Sequence, residues 1–398
     1  MLPLTIGALG LLCLAIGLYP FGPYQLSLLV ARRLRPAPPV PQPAPDAPAE
    51  SFAICLCAYN EERTIEAKVD DLLRLRHAAG ALEILVYVDA ASDRTAELLE
   101  PYRDRIRLVV SPERRGKTHG MNLLVSMTSA SIVMFTDANV RIQPDAVAVL
   151  RRWFADPTIG CVCSHLTYVN DAEGATAAVG SAYWRLNEWT RGLETATGSA
   201  IGGDGSLFAI RRALHEPVPL GLFDDLYLPL TVLLQGRRVV RSPELRAFEP
   251  HTTAAADEFK RKIRIACECM AVHATLWPKL RQLDAWHLYK YVMYRLMRWI
   301  GGWFMAAGAI LLTVAAVLLL GLVPTLALAL LAATSFGVGL GLRLGPVEQV
   351  WNMLLAFAGN ALGAWRALRG ERAVTWNVAA SARPGSADSR PGDIRTAS

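Results

Sequence analysis

Apolar positions along this chain fall into two patterns. Long charge-free stretches stand near both ends, and short apolar runs bounded by turn residues occupy the middle. Residues 1 to 31 carry no charged side chain, and Leu4 to Ala31 exceeds the roughly 20 residues that a membrane-spanning helix needs. Pro20 and Pro23 predict a kink within this N-terminal span, 1–31. Arg32, Arg33 and Arg35 follow it, which assigns its C-terminal end to the cytoplasm. A cleaved signal peptide is the competing expectation, but no positive segment precedes the run. Residues 299 to 342 are again charge-free and predict two spans, 299–322 and 324–342, turning at Gly321 to Pro324. A shorter segment, 349–366, contains Asn352 and Asn360 and reads as a third span or an interfacial helix. The tail, 367–398, is basic and is expected to be disordered at its end.

Seven prolines between Pro36 and Pro48 predict a semi-rigid linker over 32–50. The domain after it, 51–277, shows strand-like runs alternating with helical periodicity. Phe52 to Cys57, Glu83 to Val88, Ile106 to Val110 and Ile132 to Thr136 are short and apolar, as buried parallel strands are. Ile65, Val69, Leu72 and Leu73 mark one face of a helix after the first strand, with Asn60 as its expected cap. Met121 to Thr128 predicts another helix. Alternating strands and helices imply an α/β fold, in which ligands bind beyond the carboxyl ends of the strands. Tyr59, Asp89 and Asp137 all stand at that edge. An acidic edge suits a divalent cation holding phosphate oxygens better than it suits a bare phosphate.

Composition narrows the class. Hydrophobic residues reach 53% and charged residues only 19%, which excludes a disordered chain and fits a membrane protein with a large soluble part. The net charge of +6 comes with no basic stripe interleaved with aromatics, so no nucleic-acid partner is expected. Three Cys-x-Cys pairs, at 55/57, 161/163 and 267/269, lack the spacing of metal sites and read as buried thiols in a reducing compartment. Neither a GxGxxG nor a Walker loop is present, which argues against dehydrogenases and P-loop enzymes.

The order of motifs is more specific than any one of them. AYNEERTI (58–65), VDAASDRTAE (88–97), RRGKTHGMN (114–122), FTDANV (135–140), GGDGSLFAIRR (202–212), FDDLYLPL (223–230) and FKRKIRIA (259–266) come one after another. The series resembles inverting family 2 glycosyltransferases with the GT-A fold, a group that includes membrane polysaccharide synthases. That resemblance implies a Rossmann-like mixed α/β sheet with transmembrane helices at both ends. It implies a nucleotide sugar, in the first place a UDP-sugar, held by Ala58, Tyr59, Glu61, Asp89, Ser92, Asp93, Lys117 and Asp137. It further implies Mg2+ or Mn2+ on Asp137. Asn139 stands where the family has a second Asp, and its amide oxygen is a weaker ligand. Asp225 matches the general base. Gly203, Asp204, Gly205 and Asp224 fall on the acceptor side, and Arg261 and Arg264 near the diphosphate. An inverting transfer needs such a base and positive charge on the leaving group.

Processive synthases end the domain with QxxRW, but here Arg261 replaces the Gln and Ile265 the Trp. The expected product is envelope or exopolysaccharide, made on a lipid-linked or glycan acceptor in a bacterial-type inner membrane. Envelope-biosynthesis proteins are the expected partners. A single-sugar transferase to a polyprenyl phosphate and an inactive sugar-nucleotide binding module are the alternatives. Taken alone, Asp89 and Asp93 read better as a helix cap and its turn than as site residues. His251 reads as structural, and Trp376 resembles part of a C-terminal synthase element. Finally, 283–298 sets Trp286, Tyr289, Tyr291 and Tyr294 beside Lys290, Arg295 and Arg298. That mixture predicts an amphipathic helix lying on membrane lipid.

Overall fold

The computed structural model describes residues 1–34, 50–169, 175–203, 205–249 and 255–371. Asp204, His251, most of the Pro-rich linker and the tail from 372 onward, with Trp376, lie outside them. The chain opens with α1 (Leu2–Leu18) and α2 (Pro23–Leu34), separated by a tight turn at Tyr19–Phe21. The kink is thus a break, and the two pieces differ. α1 is apolar all round, whereas α2 turns Tyr24, Gln25 and Leu28 inward against protein. The predicted single span therefore ends near Phe21.

Strands and helices then alternate: β1 (Phe52–Ala58), α3 (Ile65–Ala79), β2 (Glu83–Asp89), α4 (Thr95–Leu99), β3 (Arg107–Ser111), α5 (Lys117–Ser126), β4 (Ile132–Thr136) and the short β5 (Arg141–Ile142). The second half brings α6 (Ala146–Phe154), β6 (Ile159–Tyr168), α7 (Ala175–Ala196), β7 (Leu207–Arg211), α8 (Asp224–Leu234), β8 (Arg238–Glu249) and α9 (Ala255–Leu280). The sheet order is β3-β2-β1-β4-β7-β6-β8-β5. β3, β2, β1 and β4 are parallel, and β7 enters antiparallel between β4 and β6. Strand order reverses between β1 and β4, which opens a crevice at their carboxyl ends.

Every residue of β1 is buried because both faces of the sheet are covered. Phe52, Ile54 and Leu56 meet Ile65, Val69 and Leu72 of α3 with Val147 and Leu150 of α6. Ala53, Cys55 and Cys57 meet the layer formed by α5, α8 and α9. The strand and α9 cysteines are buried free thiols, filling space as small apolar side chains.

After α9 come α10 (Ala285–Lys290), a wider π-helical turn at Tyr291–Leu296, α11 (Met297–Leu320), α12 (Leu322–Gly341) and α13 (Gly345–Leu368). Among the described residues, three helical stretches are long and apolar enough to cross a membrane: Leu2–Phe21, Ala285–Leu320 and Leu322–Gly341. α13 falls short of that apolarity. α1 lies on α11 through glycines, where a Cβ on Gly10 would stand 3.2 Å from the Gly308 carbonyl and one on Gly17 3.0 Å from that of Gly301. Small residues bring the two backbones together, as between helices in lipid.

α13 returns to the sheet domain through a similar contact. A methyl at Gly363 would sit 2.4 Å from the Ile263 carbonyl and 2.7 Å from Ala266 Cβ on α9. Gly363→Ala must therefore push two backbones apart, and its thermal unfolding in detergent should show a loss of about 1–3 kcal/mol. Gly341→Ala meets nothing within 4 Å and should show no loss.

Candidate active site

Three strand ends converge on the crevice. Tyr59 follows β1, and the Arg114 guanidinium stacks 3.5 Å from its ring centroid. Ala58 and Glu61 are buried, and Glu61 accepts a hydrogen bond from Thr64 Oγ1 at 2.9 Å. Asn60 does not cap α3. It takes a left-handed φ of 53° and accepts the Ser92 amide at 2.8 Å. Asp93 accepts the amides of Glu62 at 3.1 Å and Thr95 at 2.9 Å. Ser92 and Asp93 thus stitch the loop after β2 to the loop after β1.

Asp89 ends β2 with no exposed surface. Its carboxylate accepts the amides of Arg115 at 2.8 Å and Gly116 at 3.0 Å, and the Tyr87 hydroxyl at 3.2 Å. Gly116, at φ 91°, takes a backbone conformation that suits glycine and starts α5 at Lys117. Asp89 therefore aims Lys117 into the crevice.

Lys117 joins the acids. Its ammonium lies 3.0 Å from Asp137 Oδ1, 3.1 Å from Asp224 Oδ2 and 4.0 Å from Asp225 Oδ1. Asp224 and Asp225 occupy the first turn of α8, where a helix favours negative charge. Both are nearly buried, while Asp137 keeps 38% of its side-chain surface. Burial pushes the Asp225 carboxyl well above its ordinary range, the Asp224 charge adds to this, and Lys117 only partly opposes it. Burial works against the Lys117 ammonium too, but Asp137, Asp224 and Asp225 outweigh it and hold the amine firmly protonated.

The acceptor-side loop closes over these groups. The Gly203 amide donates to the Asp225 carbonyl at 2.7 Å, and Arg191 Nη2 donates to the Gly203 carbonyl at 2.7 Å. Gly205 passes so near that a Cβ there would lie 2.5 Å from Asp225 Oδ2 and 3.1 Å from Asp137 Oδ2. Arg264 binds both oxygens of Glu268 at 3.2 Å on α9. Asp224 and Lys117 both act on Glu268 electrostatically, so α9 borders the cluster. Arg261 lies one turn earlier on the same helix.

Sequence reasoning passed over Lys68. It lies beneath the β4 turn, donating to Thr136 Oγ1 at 3.1 Å and the Val140 carbonyl at 2.5 Å. Burial lowers its pKa to about 8, although Asp71 and Asp137 oppose the shift. The available signal was a lysine set among Ile65, Val69 and Leu72 on an otherwise apolar helix face.

Among the described residues no three His, Cys, Asp or Glu side chains form a closed metal cage. The Asn139 amide nitrogen donates to Glu249 Oε1 at 3.0 Å. Asp137 offers one partly exposed carboxylate, which fits an ion shared with substrate phosphates rather than one caged by protein.

Residues 53–218 match the family model described as Glycosyl transferase family 2. Over this stretch the chain is similar to family 2 glycosyltransferases. Over 116 residues the chain is 31% identical to a poly-β-1,6-N-acetyl-D-glucosamine synthase of Staphylococcus aureus, covering 28% of each. Over 213 residues it is 23% identical to an N-acetylglucosaminyltransferase of Rhizobium leguminosarum bv. viciae, covering 49% of this chain and 50% of the relative. The chain thus spans half or less of the curated relatives it matches. A mannosyltransferase from Pyrobaculum calidifontis, solved with GDP-mannose and Mn2+, superposes with a TM-score of 0.69 at 23% identity. That likeness covers 92% of this chain and all of the other, and the shared fold is GT-A.

The Gly205 approach yields a direct test of this site. Gly205→Ala should displace the Asp225 carboxylate and lower kcat by about a hundredfold. Its thermal melt should match wild type, because only side-chain ends must yield.

Proposed function

We propose that this protein is a membrane-anchored, inverting glycosyltransferase that transfers a sugar from a nucleoside-diphosphate donor to a lipid-linked or polysaccharide acceptor. The carrying observation is Asp225, a buried carboxylate of raised basicity that faces Asp137 across Gly205. Such a group takes the proton of an acceptor hydroxyl as its oxygen attacks the anomeric carbon. The bond to the diphosphate breaks in the same displacement, so an α-linked donor yields a β-glycoside. Lys117, with Arg261 and Arg264 on α9, offers positive charge to the leaving diphosphate. A divalent ion, Mg2+ or Mn2+, held by Asp137 and donor phosphates would neutralise the same charge further. Tyr59, Arg114 and Glu61 line the nucleotide side, and Asp89, Ser92 and Asp93 act there by holding the loops.

The donor is a UDP-sugar in this reading. The names of the two curated relatives put N-acetylglucosamine first among the sugars to try. Arg32, Arg33 and Arg35 support a cytoplasmic catalytic domain on a bacterial-type inner membrane. Ile265, where processive enzymes have Trp, supports transfer of few sugars at a time.

Detergent-purified protein with membrane lipid extract should release nucleotide from one donor in a panel of UDP-, GDP- and dTDP-sugars. Release should stop with chelator and fall by about a thousandfold or more in Asp225→Asn. Donor binding without release under any metal or lipid would identify an inactive binding module.

The acid pair sets the pH dependence. The base works deprotonated, so kcat should rise with pH through a limb above the ordinary carboxylate range. Asp224→Asn removes the like charge that helps raise Asp225 and should move that limb to lower pH. A limb that stays in place would assign the titration to another group.

A further inference from the structure

Much of the aromatic and basic helix before α11 packs on protein. Lys290 is fully buried, and its ammonium donates to three backbone carbonyls: Glu194 at 2.9 Å, Thr197 at 3.1 Å and Ser199 at 3.1 Å. Trp286 Nε1 donates to the Thr197 carbonyl at 2.8 Å, and Arg295 Nε to that of Ile201. Tyr294 donates to Asn187 Oδ1 at 2.9 Å. All of these acceptors belong to α7 or to the loop after it, 197–203. Glu194 completes the arrangement by accepting the Ile201 amide at 3.0 Å and the Tyr24 hydroxyl at 2.7 Å. Tyr24 in turn stacks on Tyr294, with centroids 4.8 Å apart.

The backbone supplies the reason these residues face inward. Tyr291–Leu296 is π-helical, a rare conformation that widens the turn and rotates the next stretch of helix about its axis. It lets Lys290, Tyr294 and Arg295 turn to the loop, while Ile310, Val314 and Leu318 further along are exposed as a lipid-facing surface is. The clamped loop then runs straight to the site, since the Gly203 amide binds the Asp225 carbonyl.

We infer that Lys290 and Trp286 are positioning residues. They hold loop 197–203 from the membrane side, and so set the acceptor side of the site against Asp225. The catalytic part of this inference rests on the reading of Asp225 as the base. The nucleotide side is built from β1, β2 and α5 and makes no hydrogen bond to this helix among those described. Loss of the clamp should therefore separate catalysis from donor binding.

The test uses the full chain in nanodiscs, with Lys290→Met and the milder Trp286→Phe, which removes one hydrogen-bond donor and keeps the aromatic bulk. Hydrogen–deuterium exchange reads the loop, UDP titration reads the donor side and nucleotide release reads kcat. In Lys290→Met, amides of 199–203 should exchange about tenfold faster or more, and kcat should fall about tenfold to a hundredfold. UDP affinity should stay within about twofold, and Lys290→Arg, which keeps a cation for the carbonyls, should recover part of the loss. Trp286→Phe should show the same pattern more weakly, and it carries the test if Lys290→Met does not fold. Unchanged loop exchange in these variants, or a UDP affinity that falls as far as kcat, would overturn the inference. If wild type releases no nucleotide from any donor, the base reading fails, while loop exchange still decides whether the clamp exists.

Discussion

Lys117 meets Asp137, Asp224 and Asp225 at one edge of the sheet, and the surrounding architecture depends on that meeting. Two of the carboxylates are almost removed from water, and without a counter-charge their mutual repulsion and desolvation would cost several kcal/mol. The lysine can reach them only because Asp89 fixes the start of α5. Asp137 can reach the lysine only because β4 adjoins β1 on the side away from β2, which places its carboxyl end across the crevice. The Asp224-Asp225 pair arrives from a third element, over eighty residues later in the chain. Residues far apart in sequence are thus tied by charge, while the apolar layers on the two sheet faces provide the rigid frame.

The first half of the sheet was legible because its chemistry is local. Phe52 to Cys57 and Ile132 to Thr136 are apolar runs closed by turn residues, and a buried parallel strand leaves that trace. The second half was not. β8 mixes Arg241, Glu244 and Arg246 with Val239 and Val240, and its pairing with β6 is long-range and irregular. Nothing local in such a strand reports its partner. The motif acids were also visible, but their tasks were not. Asp89 reads from sequence as a ligand contact, yet its carboxylate accepts two backbone amides and the Tyr87 hydroxyl of its own protein. Lys68 left a trace, a lysine on an apolar helix face, but nothing local shows that it is buried beneath the β4 turn.

The membrane-proximal residues make the same point. A stripe of aromatic and basic side chains reports that one face of a helix differs from the other. It does not report whether lipid or protein meets that face. Here three backbone carbonyls meet Lys290, so burial rather than snorkelling explains the lysine. The N-terminal helices show the converse case. α2 shares the uncharged composition of α1 over much of its length, but Tyr24 and Gln25 commit it to α7.

The helix from Ala285 to Leu320 is 36 residues long. At about 1.5 Å per residue it is roughly 54 Å in length, against a hydrocarbon core of about 30 Å. One rigid rod therefore carries the loop clamp at one end and the bilayer span at the other. In the membrane-anchored reading it acts as a ruler, fixing the height of the sheet edge that holds Asp225 above the lipid. Each residue added between the clamp and the span would lift that edge by about 1.5 Å and turn it by about 100°. In the reading proposed above, the distance between an acceptor's anchoring lipid and its reacting hydroxyl is thereby a dimension the fold itself selects.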